Sequence, residues 1–255
     1  MTPMQPIETR VGLILDNDHR FLGRSAYTEW MRDAKAPTDL WATALGITVD
    51  NSARSVLRML AVCLTSPDAR VWPLKLTRLL SSHGDPAVGF FAAQLVSSGR
   101  TMGPGTVAGA AALVAQWTSL DADGRAALLA RARAQPKLRW AGFGVAFRAS
   151  DERLVALRAA IADTPVAAGR HWVAMGQLVD EVAGFSSVLP NMSLGTAAVL
   201  LDLGVTPDLC GLGVSMLMSH VFLAHAVEAR STDAALQTLP SSSVSYAGPA
   251  PRSSR

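Results

Sequence analysis

Charge is scarce in this chain. Asp, Glu, Lys and Arg supply 17% of the 255 residues and hydrophobic residues 49%, so there is more apolar surface than a monomer of this size ordinarily hides. Burial between two copies is the simplest outlet. Cysteine is scarcer still. Cys63 and Cys210 sit in apolar surroundings with no metal-ligand spacing, which excludes a disulfide framework and a zinc site and reads as two buried free thiols. Long unbroken apolar runs are also missing. The most apolar region, 196–227, is cut by Asp202, Gly204, Pro207 and Asp208, short of the roughly 20 apolar residues that a membrane span needs. It reads as two buried helices, with no membrane partner. No apolar signal core stands at 1–10, so the expected compartment is the cytoplasm. The net charge of +3 comes from scattered basic residues with no aromatic-basic stripe, which argues against nucleic acid.

Strand-like alternation is confined to short pieces such as 11–15, and no internal repeat is present. What fills the chain is helical periodicity. It predicts helices over 52–64, 71–81, 86–98, 106–117, 121–134, 151–162, 169–183, 195–203 and 207–229. Thr206-Pro207 places a capping hydroxyl before a proline suited to a first helical turn, and Gly204 just upstream can end the preceding helix in the left-handed conformation. Two buried helices are therefore expected to meet at a tight corner. The Ser/Pro/Gly-rich stretch 240–255 has little to bury and is expected to be disordered.

Three segments carry a pattern. Gly142-Phe143-Gly144-Val145, followed by Asp151-Glu152-Arg153, resembles the citrate synthase signature, a Gly-Phe-Gly-His loop and then Asp-Pro-Arg. Leu189-Pro190-Asn191-Met192-Ser193 resembles that family's Pro-Asn-x-Asp, and Ala224-His225-Ala226-Val227-Glu228 its Ala-His-x-x-Glu ending. More loosely, Arg78 and the stretch 92–112, with Thr101-Met102-Gly103-Pro104-Gly105, resemble the region ending in a His-Gly-Gly-Ala loop. The short length favours the citryl-CoA lyase branch.

The resemblance implies a substrate carbonyl contact at Val145, a second catalytic contact at Met102, and a base at Ser193 that would take a proton from an acyl-CoA methyl group. Substrate-binding roles fall on Arg153, whose planar fork suits a carboxylate, and on Asn191, Gly142 and Gly144. An arginine expected seven residues before His225 is Met218 here. Abstracting a proton beside a thioester requires a base, and the developing oxyanion requires donors. Ser193 is not an unassisted base at neutral pH, and Val145 and Met102 donate no proton. The family's own mechanism is not expected.

Bland readings stand beside these. His225 reads as a core histidine satisfied by a backbone carbonyl. His220 either points toward the cleft as a replacement catalytic group or is structural, and His83 ends one helix while its loop caps the next. Asp151 and Glu152 suit a first helical turn without any catalytic duty. For Arg153 the functional reading is preferred. Gly103-Pro104-Gly105 and Gly142-Phe143-Gly144 follow no strand, so no Rossmann loop is supported.

The expected fold is all-α: a citrate synthase-like helical bundle over 1–239, with a large lobe, a smaller lobe at about 115–183 and a cleft between them. The expected function is carbon–carbon lyase or synthase chemistry on a carboxylate or acyl-CoA substrate by an altered mechanism. The alternative is a catalytically silent ligand-binding or regulatory subunit. Expected partners are a small carboxylate or acyl-CoA ligand and a second copy of the chain. No metal or resident cofactor is implied, coenzyme A entering only as a thioester substrate.

Overall fold

The computed structural model describes residues 9–15, 18–66, 68–99, 103–135, 138–145 and 150–231, together with Ser242, Ser245 and Gly248. The expected tail at 240–255 and Met102 thus lie outside the described residues, the three named positions excepted. The chain opens with a small antiparallel sheet of β1 (Gly12–Leu15), β2 (Asp18–Phe21) and β3 (Arg24–Ser25), with Leu13 opposite Arg20 and Arg20 opposite Ser25. A π-helical turn, Ala26–Trp30, runs into α1 (Met31–Asp33). Helices α2 (Pro37–Ala44), α3 (Asn51–Cys63), α4 (Trp72–His83), α5 (Pro86–Ser97), α6 (Pro104–Ser119) and α7 (Ala122–Arg133) follow. They are succeeded by α8 (Glu152–Ile161), a 3₁₀ turn at Pro165–Ala168, α9 (Arg170–Ala183), α10 (Met192–Asp202) and α11 (Cys210–Ala229).

The architecture is the expected all-helical bundle, with the small sheet added. All nine predicted helices exist within a few residues of their expected ends. Periodicity missed α2, whose buried side reduces to Asp39 and Ala42 and so carries no apolar stripe. It also started α11 early: the Thr206 carbonyl accepts from Leu209 and Cys210 in a turn that precedes the helix. Gly204, with φ of +95°, forms the corner.

Two compact units divide the chain. The first comprises Met1–Pro67 and Gln94–Val221, the second Asp68–Ala93 and Phe222–Arg255. In the first unit α3 buries Ala53, Val56, Leu57 and Leu60, the one-sided spacing of an amphipathic helix, and is capped by Asp50, which accepts from Ala53 N at 2.7 Å. α10 differs: every residue from Leu194 to Leu201 is buried, so it is apolar all round. It packs against α6 and α9, and α3 packs against α8. Burial of Leu194, Val199, Leu200 and Leu201 contributes roughly 1.5–3 kcal/mol per side chain. The segment 115–183 lies wholly within this first unit, where its helices α7 and α9 join the end of α6 around a separate cluster that includes Trp117, Leu128, Leu129 and Leu178.

In the second unit Arg78 of α4 reaches Glu228 and His225 near the end of α11. α11 is, among the described residues, the one helix long and apolar enough to cross a membrane by length and composition; half of that window is buried within the fold.

Candidate functional site

The Gly142 loop and the segment entering α10 are far apart in sequence and zip together in space. Phe143 and Pro190 form an isolated antiparallel bridge, Asn191 N donates to the Gly142 carbonyl at 2.8 Å, and Gly144 N donates to the Leu189 carbonyl at 2.8 Å. Asn191 is held at both ends of its amide: Nδ2 donates to the Gly144 carbonyl at 2.9 Å, and Oδ1 caps α10 by accepting from Ser193 N at 2.9 Å. Gly142 is required by its backbone and by its neighbours. Its φ is +88°, and a Cβ there would fall 2.8 Å from Leu194 Cδ1 and 3.2 Å from Ala110 Cβ. The loop is therefore seated on α6 and α10. Val145, which follows it, is half-buried.

Capping places Ser193 in the first turn of α10. Its Oγ lies 2.9 Å from Thr106 Oγ1, and Thr106 Oγ1 lies 2.8 Å from the Gly103 carbonyl. The start of α6, the loop and the start of α10 therefore meet at one junction. The carbonyl can only accept, so Thr106 donates its one proton to Gly103 and Ser193 donates to Thr106. What stands at this junction, where the resemblance calls for a carboxylate base, is a pair of neutral hydroxyls.

Arg153 is not a free cation. Its Nε donates to Asp151 Oδ1 at 2.9 Å, its Nη2 to Asp151 Oδ2 at 2.8 Å, and its Nη1 to Ser66 Oγ at 3.2 Å. Asp151, 4% exposed, also caps α8 by accepting from Arg153 N at 3.2 Å and caps α10 by accepting from Met192 N at 2.8 Å. Burial alone would raise the Asp151 pKa; the Arg153 guanidinium and the two amides outweigh it and hold the carboxyl below its ordinary value. Asp151 thus exceeds the first-turn role that its position suggests, tying the starts of two helices and one arginine together. One N–H on each terminal nitrogen of Arg153 keeps no hydrogen bond among the described residues.

The histidines do not join this junction through any hydrogen bond between described residues. His220 is exposed; its Nδ1 lies 3.0 Å from the Leu217 carbonyl, to which it donates, and its Nε2 lies 2.9 Å from Thr65 Oγ1. His225 is 7% exposed, and Arg78 Nη1 lies 3.3 Å from its Nδ1. His83 ends α4, and Asp85 caps α5 by accepting from Ala87 N at 2.7 Å.

Sequence reasoning missed three features. Thr106 carries no motif signal. Asp202 accepts from His171 N, His171 Nδ1 and Trp172 N at 2.8–2.9 Å, an arrangement that fastens α9 to the end of α10. A pocket of about 550 Å³ near the N-terminus, lined by Arg24, Trp30, Asp33, Asp39 and Arg54 among others, shares no residue with the motifs. Among the described residues no group of three or more His, Cys, Asp or Glu is placed to hold a metal ion.

The sequence matches no protein-family model and no curated protein. Solved structures match it. Citryl-CoA lyase from Hydrogenobacter thermophilus superposes with a TM-score of 0.80 over 98% of both chains at 15% identity. ATP citrate lyase from Methanosaeta concilii, in complex with (3S)-citryl-CoA, gives 0.74 at 11% identity over 98% of this chain, which spans 43% of that one. Citrate synthase from Thermoplasma acidophilum, bound to carboxymethyl coenzyme A and oxaloacetate, gives 0.58 at 15% identity over 85% of this chain and 57% of that one. The chain has the citrate synthase-like helical fold in the form found in citryl-CoA lyase.

Proposed function

We propose that this citrate synthase-like fold binds a small carboxylate or an acyl-CoA thioester at the junction of the Gly142 loop with the starts of α6 and α10, and that any carbon–carbon lyase or synthase chemistry there proceeds without a carboxylate base at residue 193. The observation that carries the reading is the meeting of Ser193 with Thr106 beside the Gly142–Asn191 pairing. On the resemblance this is where a proton-abstracting carboxylate would stand, and residue 193 brings a hydroxyl there instead. The similar structures hold citryl-CoA, or carboxymethyl coenzyme A with oxaloacetate, which supports the ligand class. Among the described residues Arg153, oriented by Asp151, keeps two donors with which to grip a carboxylate.

A second reading, a silent binding or regulatory subunit, is favoured by the pairing of Arg153 with Asp151, because that ion pair gives Arg153 a structural role without any ligand. Melting shifts with citrate, oxaloacetate, coenzyme A and acetyl-CoA test whether Arg153 serves a ligand or only the fold. Wild type is expected to rise in melting temperature with at least one of them. Arg153→Ala and Arg153→Lys should both lose the shift, since an ammonium cannot reproduce the planar fork. Equal shifts in all three proteins would remove Arg153 from the site. A second copy of the chain is proposed to cover the exposed Trp72, Val88 and Phe91 of the second unit, and light scattering that finds a stable monomer at micromolar concentration would refute it.

A further inference from the structure

The two hydroxyls at the junction have a direction. Thr106 Oγ1 and the Gly103 carbonyl are 2.8 Å apart, a separation that repels unless a proton lies between them, and only the threonine has one to give. Ser193 Oγ, 2.9 Å from the same oxygen, therefore points its own proton at Thr106. The Ser193 amide donates to Asn191 and not to the hydroxyl. Among the described residues nothing donates to Ser193 Oγ, so both its lone pairs remain while its proton is committed.

We infer that Thr106 acts as a positioning residue that fixes Ser193 as a hydrogen-bond acceptor, so that the junction takes ligands presenting a hydroxyl or amide donor at this point and disfavours those presenting a carbonyl oxygen. The inference rests on the binding reading above and adds the polarity of one contact. A carbonyl placed against Ser193 would face lone pairs, and turning the serine proton toward it would cost the hydrogen bond to Thr106.

Malate and oxaloacetate form a matched pair, one four-carbon diacid with a hydroxyl and one with a ketone at the same carbon. Titration calorimetry is expected to show wild type binding malate about fivefold more tightly, the worth of one ordinary hydrogen bond. Thr106→Ser should keep that preference. Thr106→Val frees the serine proton and should bring the ratio close to one, chiefly through tighter oxaloacetate binding. Ser193→Ala, which leaves Thr106 and its carbonyl contact intact, should instead lose malate affinity. A preference unchanged across all four proteins overturns the inference, as does tighter binding of oxaloacetate by wild type. Failure of both acids to bind wild type also overturns it. If citrate, coenzyme A and acetyl-CoA then fail as well, the binding reading falls with it; if one of them binds, that reading stands alone.

Discussion

Two buried aspartates, one inside the motif region and one far from it, are built alike. Asp151 and Asp39 have side chains 2% and 3% exposed. Each accepts a backbone amide, from Met192 and from Lys35, and each holds the Nε of an arginine, Arg153 at 2.9 Å and Arg54 at 3.1 Å. Only the first pair sits in a recognisable signature. The second lies beside the N-terminal pocket, with no motif at all. The same device in both places shows that an aspartate–arginine pair is a way of joining helix starts in this fold. An arginine in a signature is therefore not evidence of a ligand until its donors are counted.

Glycine substitutions should separate the two regions most strongly. Gly142→Ala combines a left-handed φ with a collision against Leu194 and Ala110 and should cost about 2–5 kcal/mol in urea unfolding. Gly46, which lines the pocket, has φ of +86° but its nearest neighbour would be 4.0 Å from an added Cβ, so Gly46→Ala should cost only about 1 kcal/mol. Equal losses would mean that the Gly142 loop is not seated on α6 and α10.

The aspartates should then behave as a matched pair. Asp151→Asn and Asp39→Asn are each expected to lose about 1–3 kcal/mol, below the loss for a fully buried pair because Arg153 and Arg54 are 34% and 27% exposed and partly screened. For Asp151 a pH dependence follows. Its folded pKa is lowered, so the folded state binds fewer protons and the stability gained is complete above the ordinary carboxylate range, at about pH 4, and drains as pH falls through the folded value. The gap between wild type and Asp151→Asn should be flat near neutrality and shrink in acid. A gap that widens in acid would reverse the sign of the coupling.

Helix positions were legible because burial writes periodicity into the chain, and the order of the motifs was legible because the loop and α10 must meet. Partners were not. Nothing in the sequence says that Asn191 turns both ends of its amide on backbone, or that Thr106, 87 residues from Ser193, accepts its hydrogen bond. Asp39 and α2 escaped because a helix that buries a carboxylate and an alanine has no apolar stripe. His220 lies two residues after the position of the expected arginine, yet its ring contacts are a carbonyl one turn back and Thr65, 155 residues away, neither of which spacing can reveal.

The central claim is that hydroxyls stand at the junction where proton abstraction would need a base. Exchange of the acetyl-CoA methyl protons in D₂O, followed by NMR with and without the protein and oxaloacetate, tests it most directly. The account predicts an exchange rate indistinguishable from that of protein-free solution. Protein-dependent exchange that is lost in Ser193→Ala would place a working base at the junction and contradict it.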